Sequence, residues 1–190
     1  MRCVACEKLS FRMICKNCQK KYFDPVFNKR ELAKDFFVYS FYEYDGIKEL
    51  LNSKYEFYGD RIYNILASLS FSKFGKNFEF IEIVDAVPID DHTRHDFSHT
   101  AILVKHLKSK FIAPKINLLK AKNQIKYAGK TLEFRKNNPR NFFYNGEKRR
   151  NIILVDDIIT TGTTILEAKR CLEQNGCKVL FALTLCDAKN

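Results

Sequence analysis

Residues 152–164, IILVDDIITTGTT, constrain the fold of this chain more than any other stretch. Ile152, Ile153, Leu154 and Val155 form a short apolar run without in-out alternation. They predict a strand buried on both faces, as in a parallel sheet. The run ends at Asp156 and Asp157, where the strand is expected to stop. In open α/β sheets, ligands collect beyond the carboxyl ends of the strands. Thr160, Thr161, Gly162, Thr163 and Thr164 then open a helix predicted to reach about residue 175. Gly162 permits a tight turn, the first amides of a helix have no internal acceptor, and the threonine hydroxyls can donate beside them. Such a bend is an anion cradle. With two carboxylates beside it, it suits a ligand carrying a phosphate and either a vicinal diol or a bound cation, and a ribose 5-phosphate meets that description. Asp156 and Asp157 are expected to face the ligand, accepting from ribose hydroxyls and neighbouring a magnesium ion that carries a pyrophosphate.

A second pattern lies at the start. Cys3, Cys6, Cys15 and Cys18 form two CxxC pairs separated by eight residues. Each pair makes a knuckle that turns two thiolates toward one point, and two knuckles complete the tetrahedral set of a structural zinc. Four cysteines leave no position for water, so this metal is expected to hold a fold rather than do chemistry. The gap is short for a zinc ribbon and implies a tiny module of one hairpin, stabilised largely by its metal. Cys171, Cys177 and Cys186 fall in the last helix and strand, where small core residues are expected.

At 190 residues the chain holds one α/β domain and a small appendage. Seventeen Phe and nine Tyr supply much of the core, and there is no Trp. No secretory leader is visible in residues 1–10, and no apolar run approaches the ~18 residues of a membrane span, so a cytoplasmic location is expected. The formal charge of +11 suits a polyanionic partner, but simple solubility also accounts for it. Arg2, Lys8, Arg12, Lys16, Lys20 and Lys21 make the cysteine module basic, which leaves contact with nucleic acid open.

Between these landmarks, Asp24, Pro25 and the charged residues 28–35 read as a linker or short helix. Residues 36–44 predict a strand, 47–52 a short helix, and 59–74 one longer helix with Ile62, Ile65, Leu66 and Leu69 on its packed face. The lysines and aromatics of 54–58 suit core packing better than base stacking. Residues 80–87 predict the first strand of the main sheet, ended by Pro88, and 89–98 a polar loop. Ser98 is positioned to cap a helix over 99–108, with His92, His95 and His99 as loop and cap residues rather than metal ligands. A strand is expected at 116–119 and the closing strand at 179–185. The long polar stretch 120–141 carries Lys126, Lys130, Arg135, Lys136 and Arg140, which could cover a diphosphate, follow a nucleic-acid backbone, or simply be solvated.

ILVDDIITTGTT resembles the phosphoribosyl-diphosphate signature of type I phosphoribosyltransferases and matches it at every position, both acids and the loop glycine included. The order of parts, from the paired CxxC through Val87-Pro88, Phe97 and the basic stretch to the signature, resembles the ComF family of phosphoribosyltransferase-like proteins over nearly the whole chain. After Val-Pro that family usually has Arg-Gly-Phe-Asn-Gln, where this chain has His95, Asp96, Phe97, Ser98 and His99. In the basic stretch, the family's Gln, Leu, Arg and Asn fall on Tyr127, Lys130, Arg135 and Asn138, so only the last two match.

The resemblance implies a type I phosphoribosyltransferase-like, mainly parallel sheet flanked by helices, with a small N-terminal zinc-ribbon-like module. It divides the chain into a four-cysteine zinc finger (1–24), a strand and helices packing on the main domain (25–78), and a phosphoribosyltransferase-like domain (79–190). It implies phosphoribosyl diphosphate and magnesium at Asp156, Asp157, Thr160, Thr161, Gly162, Thr163, Thr164 and Arg135, and zinc at Cys3, Cys6, Cys15 and Cys18. It also implies a role in natural competence, handling incoming single-stranded DNA beside the DNA-uptake machinery at the inner membrane face. A working phosphoribosyltransferase is the alternative, and nothing in the sequence identifies its acceptor.

Overall fold

Ile152, Ile153, Leu154 and Val155 are completely buried and lie in the middle of a six-stranded sheet, because helices cover both of its faces. The computed structural model describes residues 1–89, 97–123 and 131–189, apart from the side chains of Leu132, Arg135 and Lys136. Along the chain the elements are α1 (Lys16–Tyr22), β1 (Asn28–Ala33), β2 (Phe36–Glu43), α2 (Tyr44–Asn52), a 3₁₀ turn (Ser53–Tyr55), α3 (Gly59–Leu69) and α4 (Phe71–Asn77). They continue as β3 (Val84–Pro88), α5 (His99–His106), β4 (Ile112–Pro114), β5 (Leu119–Ala121), α6 (Leu132–Asn137), β6 (Phe142–Tyr144), β7 (Asn151–Ile159), α7 (Thr163–Gln174) and β8 (Lys178–Asp187).

The strand order is β1-β2-β8-β7-β3-β4, parallel throughout except for the antiparallel edge pair β1-β2. β5 and β6 form a separate antiparallel pair. Successive side chains of a strand point to opposite faces, and β7 uses this to serve two cores. Ile153 and Val155 pack with Ile62 and Leu66 of α3 and Leu103 of α5, while Ile152 and Leu154 pack with Ile165, Ala168 and Leu172 of α7. The first core also takes in Cys3, Ile14, Cys18 and Phe23, so the cysteine module is seated on the helical face of the sheet. Among the described residues, no helix is long and apolar enough to cross a membrane.

Several elements differ from their sequence expectation. Residues 28–33, read as linker or helix, are the edge strand β1, held by its register with β2. The helix expected over 59–74 is two helices, broken where the Ser70 hydroxyl donates to the Leu66 carbonyl at 2.7 Å. The strand expected over 80–87 is Val84–Pro88, and of the one expected at 116–119 only Leu119 is in a strand, residues 116–118 lying in the link between β4 and β5. β7 runs past both acids to Ile159, because β8 is long enough to keep pairing with it. The cap at Ser98 forms as expected, its hydroxyl accepting from the Ala101 amide at 3.2 Å.

Candidate functional site

At the carboxyl end of β7 the chain turns through Gly162, whose φ of 79° and ψ of 0° lie in the left-handed region. A Cβ built there would come 2.2 Å from Leu32 Cδ1 on β1, so the position requires glycine for both conformation and space. Two residues earlier on β1, the Arg30 guanidinium donates to the Thr160 carbonyl at 3.0 Å and to both oxygens of buried Asp187 at 2.9 and 3.1 Å. The edge strand therefore braces the bend from outside. The first helical bond of α7 runs from the Leu166 amide to the Gly162 carbonyl at 3.0 Å, so the amides before it lack helical acceptors, and the Thr163 amide makes only a long bond of 3.5 Å to the Thr161 hydroxyl. The Thr161 and Thr163 hydroxyls lie 2.9 Å apart beside them. Asp156, Ile158, Ile159 and residues 160–165 line a shallow, solvent-open hollow.

Gly162→Ala is expected to cost about 2–4 kcal/mol, combining left-handed strain with overlap onto Leu32. Urea unfolding checks this. Adding Leu32→Ala should return the overlap share and leave the backbone share.

β7 separates its two acids. Half-buried Asp156 lines the hollow and accepts from the Asp157 amide at 2.8 Å. Buried Asp157 turns toward the helical core. There its Oδ2 is met by Lys54 Nζ at 2.7 Å, the Tyr63 hydroxyl at 3.3 Å and His99 Nε2 at 3.6 Å. Burial and then the Asp157 charge push the Asp156 carboxyl well above the ordinary carboxylate range, against the Asp157 amide and the charges of Arg140 and Lys54. For Asp157 burial acts the same way, but the Lys54 and His99 charges and the Lys54 hydrogen bond outweigh it and hold that carboxyl well below the usual range. Lys54 shows the reciprocal effect: burial lowers it, and the Asp157 charge more than restores it. Burial and the same acid keep Tyr63 well above its ordinary value, so it remains a neutral donor. A cation entering the hollow would favour ionised Asp156 and give it a hard oxygen donor to offer.

The basic stretch reaches this site in part. Glu167 of α7 accepts from the Arg140 amide at 3.2 Å and the Asn141 amide at 2.7 Å, and this holds Arg140 where its charge acts on Asp156. Arg135 lies on α6, and the Asn138 side chain donates back to the Phe134 carbonyl at 2.9 Å. Lys126, Tyr127, Lys130, His92 and His95 lie outside the described residues. Sequence reasoning missed Arg30, Lys54 and Tyr63 as site residues and took His99 for a cap.

The four cysteines converge as their spacing predicts. Their Sγ atoms all lie within 4.8 Å of one another, with Cys6 and Cys15 at 3.8 Å. A tetrahedral ion with Zn–S bonds of about 2.3 Å needs S···S edges of about 3.8 Å, so the cluster suits zinc. The Cys15 amide donates to Cys3 Sγ at 3.3 Å, a contact that favours the thiolate a metal binds. Against burial, this and other nearby donors pull the Cys3 thiol down to about 6. Cys171, Cys177 and Cys186 are buried core residues.

A mainly parallel sheet, a glycine-turned helix start and a carboxylate on the same hollow together define an α/β fold with a candidate phosphate-binding end. The phosphoribosyl transferase domain model matches residues 135–190, the segment that carries β6, β7, α7 and β8. No curated protein gives a significant match to the sequence. The chain thus combines a segment similar to the phosphoribosyl transferase domain, residues 135–190, with an N-terminal four-cysteine cluster able to hold zinc.

Proposed function

We propose that this protein binds phosphoribosyl diphosphate with magnesium at the end of β7 and, as its ComF resemblance implies, serves in the handling of single-stranded DNA during natural transformation. The observation that carries the ligand reading is the hollow itself, where the left-handed turn at Gly162, the first turn of α7 and the Asp156 carboxylate meet. In this reading Thr160, Thr161, Gly162, Thr163 and Thr164 cradle the 5-phosphate, and Asp156 accepts from the ribose hydroxyls. Asp157 supports it from below, Arg140 would meet the diphosphate, and Arg135 is assigned to the same ligand by the resemblance. Magnesium bound with the diphosphate would supply charge neutralisation, for which Asp156 is a suitable neighbour. Zinc at Cys3, Cys6, Cys15 and Cys18 completes the module. The protein would act in the cytoplasm.

Calorimetry with phosphoribosyl diphosphate and magnesium tests the site. Asp156→Asn removes a charge-assisted acceptor and is expected to weaken binding about ten- to hundredfold. Unchanged affinity in that variant, or no binding by the unaltered protein, sinks the assignment.

The match to the phosphoribosyl transferase domain favours a second reading, in which the ligand is turned over. A transferase would displace pyrophosphate from the anomeric carbon through an oxocarbenium-like transition state, and it needs an acceptor. The two readings separate in a salt titration of oligonucleotide binding. A protein neutralising Z phosphates of a single strand loses affinity with a log–log slope near −0.7Z. Absence of oligonucleotide binding at low salt would remove the DNA-handling role and leave the transferase.

A further inference from the structure

The six-stranded sheet ends at β1 on one side and at β4 on the other. Along a terminal strand, alternate N–H and C=O groups point away from the sheet and can take up another strand. β4 offers little for this, since it has three residues and its last, Pro114, has no N–H to donate. β1 has six residues, and its pairing with β2 is regular from Asn28 to Glu31. On that regular part Lys29 and Glu31 are exposed, two residues apart, opposite in sign and on the same helical face as their partners Tyr39 and Phe37. Lys29 Nζ sits 3.7 Å from the centre of the Phe37 ring, and Glu31 accepts from the Asp35 amide at 3.3 Å, so both charges are held over their own hairpin.

This charge order fits an inverted copy of itself. Two copies of one strand laid antiparallel are related by a two-fold axis. With that axis on Arg30, each Lys29 lies opposite Glu31 of the second copy, so a favourable cross-strand pair forms twice. Moving the axis to Lys29 or to Glu31 sets like charges against each other, so charge selects the register. The two Arg30 side chains at the axis do not oppose one another, because each guanidinium is drawn back onto Asp187 and the Thr160 carbonyl of its own chain. The same charges deter a strand that lacks the matching order, which makes the chain's own copy the fitting occupant. A contact of β1 with β4 of the next copy would repeat without closing, and Pro114 limits it.

We propose that β1 pairs antiparallel with β1 of a second copy of this chain, Lys29 facing Glu31 across the junction, and that the resulting dimer steadies the bend at residues 160–164. The bend is reached through the same strand, since Arg30 holds the Thr160 carbonyl and Leu32 lies against Gly162. A strand paired on both sides opens less readily than an edge, so the brace it supplies is firmer in the dimer. None of this depends on the sugar-phosphate reading, and the test contains no ligand.

Sedimentation velocity of the zinc-loaded protein over a range of concentrations should show a monomer–dimer equilibrium. Lys29→Glu and Glu31→Lys each turn two attractive pairs into two repulsive ones, and each should weaken dimerisation by about tenfold or more. Equimolar mixing of these two variants should restore the dimer, because every cross-strand pair in the mixed species is again of opposite charge. Both positions are exposed, and recovery on mixing shows that both variants are folded. Hydrogen exchange at residues 160–164 should be slower in the parent dimer than in the Lys29→Glu monomer. A parent chain that stays monomeric at hundreds of micromolar overturns the proposal. So does a dimer that neither variant weakens, which would place the contact on another face, and so does a mixture no tighter than its components. Association that continues past the dimer overturns the closed two-fold pairing, and equal exchange in dimer and monomer overturns the steadying of the bend.

Discussion

Removing zinc with a tight chelator is expected to unfold residues 1–23 and to lower the melting temperature of the rest without unfolding the sheet. Zinc contributes about 10–16 kcal/mol to the folding of isolated finger peptides, far more than the few apolar side chains of this module could replace. The thiols themselves work against a metal-free fold. Cys3 favours its thiolate, whereas burial and the neighbouring thiols push Cys18 up to about 12, so without a dication the four thiols cannot all ionise near neutral pH. The module also covers part of the first core through Ile14 and Phe23, so its loss exposes apolar surface on the main domain. Their burial is worth about 2 kcal/mol each, enough to move a melt but not to dissolve a six-stranded sheet. The bridge between Lys73 and Asp24 at 3.2 Å is exposed on both sides and adds little to the junction. Hydrogen exchange followed by residue, with and without chelator, checks the pattern. The amides of Cys3, Val4, Glu7 and Cys15 should lose protection, and those of β7 and β8 should keep theirs. Unchanged exchange in residues 1–23 would show that no metal is held there, and global loss would make the module part of the folding core.

The cradle is legible in the sequence because its parts are contiguous. One strand, two acids, one glycine and four threonines within residues 152–164 need only local rules to be placed on a β-strand, a bend and a helix start. What brackets the cradle is long-range, and no window contains it. Arg30 stands 130 residues before the Thr160 carbonyl it binds, and Lys54 stands 103 residues before Asp157. β1 also lacks the apolar signature of a strand, because at the sheet edge its Lys29 and Glu31 face solvent and charge is tolerated. Neighbours in sequence suggest neighbours in role, so the sequence alone predicts that both acids face one ligand. A strand that continues through them imposes the opposite, since alternation sends one carboxylate to the hollow and the other to the helical core. The continuation itself depends on β8, whose Cys186 and Asp187 pair with Ile158 and Ile159. The convergence of the four cysteines is legible for the same reason as the cradle, since four thiols within sixteen residues need no distant partner, whereas the helix that carries Cys18 is not what a single hairpin predicts.

Lys54→Met should lower stability by about 3–5 kcal/mol, on the order of 10 °C in melting temperature for a chain of this size. The Lys54 side chain is 18% exposed and that of Asp157 only 5%, so the methionine would leave a buried carboxylate that faces the Tyr63 hydroxyl and His99 without its nearest cation. The cost would come from that stranded charge more than from the lost contact, because a buried pair as a whole gains little over apolar groups of its own size. Lys54→Met with Asp157→Leu should therefore recover much of what the single change loses, and a double-mutant cycle reads the difference. The pH dependence gives an independent sign. In the unaltered protein Asp157 is held below its unfolded value of about 3.9, so its stabilising contribution is present above that pH and fades as pH falls through the folded value. Without Lys54, burial raises the carboxyl instead. The deficit of the variant should then be largest near neutral pH and shrink as the solution is acidified and Asp157 takes up a proton. Ligand binding should suffer as well, since the Asp157 amide donates to Asp156 and a repacked Asp157 would move that donor. A Lys54→Met protein as stable as the parent at pH 7 would mean that Asp157 is reached by water or held by His99 alone, and that the lysine adds nothing to the floor of the hollow.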